Sequence, residues 1–202
     1  YKGYFSPAER DNNSLYMPDM DAAARAAEYL EACILNNDSA GGIIECIISG
    51  VPAGIGEPVF DKLDANLAKA LVSIGSVKGV EIGDGFAASK TTGSINNDQF
   101  RMDGAKVIKT TNHSGGILGG ISDGSDIIVR AAIKPTPSIS QVQRTVNESG
   151  DEVDIQIHGR HDPVIVPRAV VVVESMCAIT IADAIMSHMT DRVDYIKEFY
   201  RN

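Results

Sequence analysis

Asp126-Ile127-Ile128-Val129-Arg130-Ala131-Ala132-Ile133-Lys134-Pro135-Thr136-Pro137-Ser138 is the stretch on which the reading of this chain turns. A β-branched run closed by a lysine and two prolines predicts a strand ending in a stiff loop. Downstream, Val142 to Val146 and Val153 to Ile157 predict a hairpin turned at Asn147-Glu148-Ser149-Gly150. A helix is expected from near Pro167 towards Tyr200. Its early half is apolar nearly all round and so is expected to be buried, despite the β-branched run Val170 to Val173. Upstream, Ala22 to Leu35 has helical spacing behind Asp19 or Asp21 as N-cap, and Gly42 to Ser49 is β-branched and short enough to be a buried strand. Asp61 is placed to cap a second helix running to about Ser73, Val77 to Ile82 reads as a strand, and Ala87 to Phe100 as a polar loop. Strands and helices mixed without a strict βαβ alternation predict a layered α/β fold.

Composition narrows the function. At 202 residues, 44% hydrophobic and 22% charged, the chain suits one sizeable core and is too apolar for disorder. The longest apolar run, Ala169 to Ala182, is broken by Glu174, so no membrane span is expected. Cys33, Cys46 and Cys177 are odd in number, far apart and set in apolar stretches, as expected of reduced core residues in a cytoplasmic protein. A net charge of −9 argues against nucleic acid or an acidic membrane as partner. From Arg101 to Val170, however, eight Lys or Arg balance eight Asp or Glu, and a site for an anionic small molecule belongs in that neutral third. The chain begins with Tyr, and Tyr1 to Tyr16 has no signal-peptide pattern.

Three segments there can carry chemistry. Asn112 to Ser122 holds the glycine pairs 115–116 and 119–120, which strip side chains from the backbone so that N–H groups can approach a phosphate or a flat ring; a plain turn is the alternative. It matches neither nucleotide fingerprint, GxxxxGK[ST] or GxGxxG. Lys134-Pro135-Thr136-Pro137-Ser138 offers a cation and two hydroxyls on a stiff loop, or else a simple strand exit. Gly159-Arg160-His161-Asp162-Pro163 sets a permanent cation, an imidazole and a carboxylate side by side, where Arg160 can hold an anion while His161 or Asp162 handles protons; polar surface is the alternative.

These segments, with Ser49-Gly50-Val51-Pro52-Ala53-Gly54-Ile55-Gly56-Glu57-Pro58-Val59-Phe60-Asp61, Val77-Lys78-Gly79-Val80-Glu81-Ile82-Gly83-Asp84-Gly85-Phe86 and Arg168-Ala169-Val170, resemble chorismate synthase in order and interval. The resemblance implies a layered β-α-β sandwich and a homotetramer. It also implies a lyase that removes phosphate from 5-enolpyruvylshikimate 3-phosphate to give chorismate in the shikimate pathway. That family uses reduced FMN and is associated with NADP. Its flavin contacts correspond here to Gly75, Ser76, Gly119, Lys134, Pro135, Thr136, Pro137, Ser138 and Arg160, and its proton-handling aspartate to Asp162. The family's N-terminal histidines, substrate-gripping arginines and Arg-Ser-Ser flavin loop have no match. The resemblance therefore implies a C-terminal half, residues 17–202, behind a linker remnant, residues 1–16. Two other function classes remain at this point, a non-catalytic flavin- or phosphate-binding module and a structural interaction domain.

Overall fold

The computed structural model describes residues 7–159 and 162–201. In chain order the elements are α1 (Pro7–Arg10), α2 (Met20–Leu35), β1 (Gly42–Ile48), α3 (Leu63–Val72), β2 (Val77–Ile82), a 3₁₀ helix (Gly85–Lys90) and α4 (Gly93–Asn96). There follow β3 (Phe100–Asp103), β4 (Lys106–Lys109), β5 (Ile117–Leu118), β6 (Ile121–Ser122), β7 (Ile127–Ile133), β8 (Val142–Val146), β9 (Glu152–Gln156), α5 (Val166–His188) and α6 (Val193–Phe199). The chain divides into two compact units. One runs through Ile43 and resumes from Ile133 to Val170; the other comprises Ile44–Ala132 and the chain from Val171 onward.

The second unit is built on a sheet of order β1-β7-β2. Along β7 the odd-numbered residues Ile127, Val129, Ala131 and Ile133 are buried while the residues between them are half-buried, the two-residue period of a strand with one dry face. On the wetter face the Arg130 guanidinium bridges the neighbouring strands. Its Nε donates to Glu45 Oε2 at 2.8 Å, and its Nη1 donates to Gly83 O at 2.8 Å and lies 3.6 Å from Glu81 Oε2. Helix α3 packs on β2, and Leu63, Leu67 and Leu71, four residues apart, are fully buried. Removing any of these three side chains would leave a cavity of the kind that costs about 2 to 5 kcal/mol.

Asp61 does not cap α3. The N-cap position is Lys62, which makes no side-chain cap bond, and the free Leu63 N–H donates instead to Gly120 O of the β5–β6 hairpin at 2.8 Å. A tertiary carbonyl thus does the work that local sequence assigned to a carboxylate. In the first unit the cap of α2 is Asp19, which accepts from Ala22 N at 2.9 Å. The β8–β9 hairpin forms with Val142 opposite Gln156 and Val146 opposite Glu152, and Asn147 Oδ1 accepts from Ser149 and Asp151 N–H across its turn.

Two further expectations change. The stretch read as a polar loop holds the 3₁₀ helix and α4, and then opens the β3–β4 hairpin, whose short strands bury no apolar side chain and so carry no apolar alternation. The terminal helix breaks after His188, where Thr190 Oγ1 turns back to Ser187 O and Asp191 meets His188. Its early half is also not buried all round. Val173, Cys177 and Ile181 form one buried stripe, but Val171, Val172 and Ile179 are exposed. At 23 residues and a mean hydropathy of 2.0, α5 is by length and composition able to cross a membrane.

Candidate functional site

In the first unit, Ser39-Ala40-Gly41 holds two of the sequence-predicted loops, one on each side. Ser39 Oγ donates to Thr136 O at 2.7 Å. Gly41 lies so close to the strand exit that a Cβ there would sit 2.4 Å from Ile133 O and 3.1 Å from Pro135 Cδ. On the other side Ala40 N–H donates to Pro163 O at 2.7 Å, and Ala40 bridges Val164 in parallel register. The Lys134–Ser138 loop and the chain beside Asp162 are therefore pinned to the same three residues. Their small side chains, directly before a strand, were the available sequence signal, and it was missed.

The loop's anchoring uses its backbone. Thr136 O takes the Ser39 hydroxyl, and Pro137 O accepts from Ile139 N–H at 3.0 Å and from Gln143 Nε2 at 3.0 Å. Among the described residues, the Lys134 ammonium and the Thr136 and Ser138 hydroxyls have no partner, although all three residues are half-buried. Asp162 Oδ2 meets Arg168 Nη1 at 2.7 Å, which ties the carboxylate to the first turn of α5, and Oδ1 has no partner among the described residues. Arg168 was not singled out from sequence as the partner of Asp162. Arg160 lies outside the described residues, as does His161.

The second unit separates its candidates. Gly119 sits exposed at the tip of the β5–β6 hairpin with φ of 61° and open space where a Cβ would be. Gly120 beside it contacts the N-terminus of α3 through the Leu63 bond. Gly75 and Ser76 follow the other end of that ten-residue helix, which is about 15 Å long at 1.5 Å per residue. Gly75 also faces open space, and Ser76 adopts φ of 72°.

Upstream of the hairpin, the glycine-rich segment is held by a buried polar network that sequence reading missed. Lys109 Nζ, its side chain 3% exposed, donates to Asp123 Oδ2 at 2.6 Å, Ser114 Oγ at 2.9 Å and Asn112 Oδ1 at 3.1 Å, and reaches Asp98 Oδ2 at 3.4 Å. Asp98 accepts from the N–H groups of His113 and Ser114 and from the hydroxyls of Thr111 and Ser114. Burial pushes the Asp98 carboxyl up, but these hydrogen bonds outweigh it and hold it well below the usual carboxylate range. Asp123 is lowered in the same way, its burial outweighed by Lys109 and Ser125. Around this network His113 Nδ1 lies 2.6 Å from Asp84 Oδ2, and Asp84 N–H donates to His113 O at 2.8 Å. The approach needs glycine on both sides: a Cβ on Gly83 would sit 2.2 Å from His113 O, and one on Gly115 would sit 2.3 Å from Gly83 N. Among the described residues no group of three or more His, Cys, Asp or Glu could hold a metal ion.

The chorismate synthase family model matches residues 4–186. The chain belongs to the chorismate synthase family. It is 62% identical over 197 residues to the chorismate synthase of Agathobacter rectalis, a match that covers 98% of this chain and 54% of that protein. Against the chorismate synthase of Lachnoclostridium phytofermentans it is 66% identical over 188 residues, with 93% and 51% covered. A crystal structure of chorismate synthase superposes with a TM-score of 0.75 at 29% identity, covering 96% of this chain and 52% of that one. The layered α/β arrangement is thus the chorismate synthase fold, and the chain spans about half the length of the relatives it matches.

Proposed function

We propose that this chain is the flavin-holding and proton-handling part of a chorismate synthase, a carbon–oxygen lyase that eliminates phosphate from 5-enolpyruvylshikimate 3-phosphate in the presence of reduced FMN. One observation carries the reading. A preorganised loop keeps a cation and two hydroxyls, Lys134, Thr136 and Ser138, without partners among the described residues, and shares its anchor with the segment that follows Asp162. Half-buried polar groups without partners favour a ligand that can accept from them, and a ribityl chain, a phosphate or a ring carbonyl has the matching acceptors. The donor set therefore fits FMN. Lys134 and the two hydroxyls would hold it, with Arg160 as a further contact. When bound, the reduced flavin supplies the electron-rich ring on which this elimination without net redox change depends.

The protein's own task is to place the substrate, neutralise charge on the departing phosphate and accept the ring proton. Asp162 suits the last role, because Arg168 holds one carboxylate oxygen and leaves the other to take a proton. Positioned groups act as a unit, so a chain with half of them is expected to be inactive alone.

An anaerobic assay with substrate and reduced FMN tests this, run on the chain alone and on the chain co-expressed with the N-terminal half of the Agathobacter rectalis relative. Chorismate is expected only from the pair. In the pair, Asp162→Asn is expected to lower kcat by about a hundredfold or more while leaving FMN affinity intact. Arg160→Ala is expected to weaken FMN by roughly tenfold to a hundredfold, the value of a charge-assisted hydrogen bond. A fully active Asn variant removes Asp162 from the chemistry, and turnover by the chain alone overturns the division of labour.

A further inference from the structure

Residues 39–42 carry the chain from the end of α2 into β1, and their contacts alternate. Ser39 and Gly41 meet the Lys134–Ser138 loop: the half-buried Ser39 hydroxyl donates to Thr136 O at 2.7 Å, and a Cβ on Gly41 would strike Ile133 O. Ala40 and Gly42 meet the segment after Asp162: Ala40 N–H donates to Pro163 O at 2.7 Å, and a Cβ on Gly42 would lie 3.1 Å from Val166 Cγ2. Successive residues of extended chain face opposite ways, so four residues serve one loop on each side.

What is held on each side is a stiff dipeptide with one free torsion. Proline fixes its own φ and confines the residue before it, so Lys134-Pro135-Thr136-Pro137 has few soft torsions left. The direction of the Thr136 carbonyl is set by the torsion between Thr136 and Pro137, and the Ser39 hydroxyl holds that carbonyl. On the other side Pro163 confines Asp162 in the same way, and the Pro163 carbonyl is held by Ala40, the residue next to Ser39. We propose that Ser39 is a positioning residue that couples the two sides. It sets the Lys134, Thr136 and Ser138 donors and, through Ala40, the Asp162 segment as one unit, so that a flavin bound on the loop also steadies the aspartate. The proposal rests on the flavin and proton-handling roles proposed above. Ser39 acts here through two carbonyls and needs no contact with flavin or substrate.

The experiment titrates reduced FMN anaerobically into this chain co-expressed with the N-terminal half of the Agathobacter rectalis relative, and follows amide hydrogen exchange with and without FMN. Ser39→Ala should weaken FMN by roughly threefold to tenfold, the worth of one neutral hydrogen bond. Ser39→Thr keeps the hydroxyl and should restore the parent affinity to within about twofold. Ser89→Ala, which removes a hydroxyl-to-carbonyl bond of the same kind at 2.8 Å in the second unit, should leave FMN affinity unchanged. The coupling itself is read at the Ala40 amide, on the Asp162 side. Saturating FMN should slow its exchange about fivefold or more in the parent and less than about twofold in Ser39→Ala. Melting temperatures of the Ser39 variants should stay within a few degrees of the parent. A Ser39→Ala pair that loses stability but keeps its FMN affinity makes the hydroxyl mere scaffold and overturns the proposal, as does an Ala40 amide in the parent that ignores FMN. FMN binding that Lys134→Met weakens and Ser39→Ala does not overturns this inference alone and leaves the proposed function standing. A parent pair that binds no FMN, or binds it regardless of Lys134→Met, overturns both.

Discussion

Lys109 and Lys134 each close a short β-branched stretch, but the structure uses them in opposite ways. Lys109 spends its ammonium on two aspartates, an asparagine and a serine, and none of that polarity is left for a ligand. Lys134 has no partner among the described residues, on a loop whose backbone is fastened by Ser39 and Gln143. A polar group that is already satisfied supports the fold, whereas one held in place and left unsatisfied is available for binding.

The sharpest way to break this contrast is to remove each lysine in turn. Lys109→Met would leave Asp98 and Asp123 as buried, uncompensated carboxylates, and a loss of about 3 to 5 kcal/mol is expected in urea unfolding. A loss under about 1 kcal/mol would show that the network is solvated and ornamental. Acid provides the next largest effect. The folded Asp98 carboxyl is held below its ordinary value of 3.8, so its stabilisation is complete above that pH and is lost as pH falls through and below it. Thermal melts between about pH 6 and pH 2 should fall steeply below pH 4, and less steeply in Asp98→Asn once its own destabilisation is subtracted.

A smaller effect separates the two kinds of glycine. Gly119→Ala has room but needs a left-handed backbone, so about 1 kcal/mol is expected. Gly83→Ala meets backbone atoms as well and should lose several times as much, and equal losses would mean that the close approach to His113 relaxes freely. Smallest of all, Lys134→Met should change stability by less than about 0.5 kcal/mol. In the co-expressed pair the same variant should weaken FMN binding by roughly tenfold or more. A stability loss like that of Lys109→Met would move Lys134 out of the binding loop and into the scaffold.

What could be read from sequence follows the same division. Strand β7, helix α2 and the β8–β9 hairpin were legible because a dry face, a cap or an Asn-containing turn writes itself locally. The α3 cap was misread because its acceptor, Gly120, lies 57 residues downstream of Leu63. The exposure of α5 escaped for a related reason: an all-apolar helix reads as buried, whether its cover lies within this chain or in another. Lys134 to Ser138 and Asp162 were named as candidates through resemblance, and their role stays a proposal. Ser39 to Gly41, Arg168 and the Asp98–Lys109 network were not, since small residues, a lone arginine and scattered carboxylates carry no spacing of their own.

The hydrogen bonds around Asp98 also set a timescale. The stretch from Asn112 to Gly120 has four glycines in nine residues, a composition that suggests rapid local motion. Yet the amides of His113 and Ser114 donate to Asp98, and that of Gly116 donates to Asn112 Oδ1, which in turn accepts from Lys109. Those protons can exchange with deuterium only when the ion network opens. The glycine-rich stretch should therefore keep its amide hydrogens far longer than the β8–β9 hairpin, whose strands are more regular but almost wholly exposed.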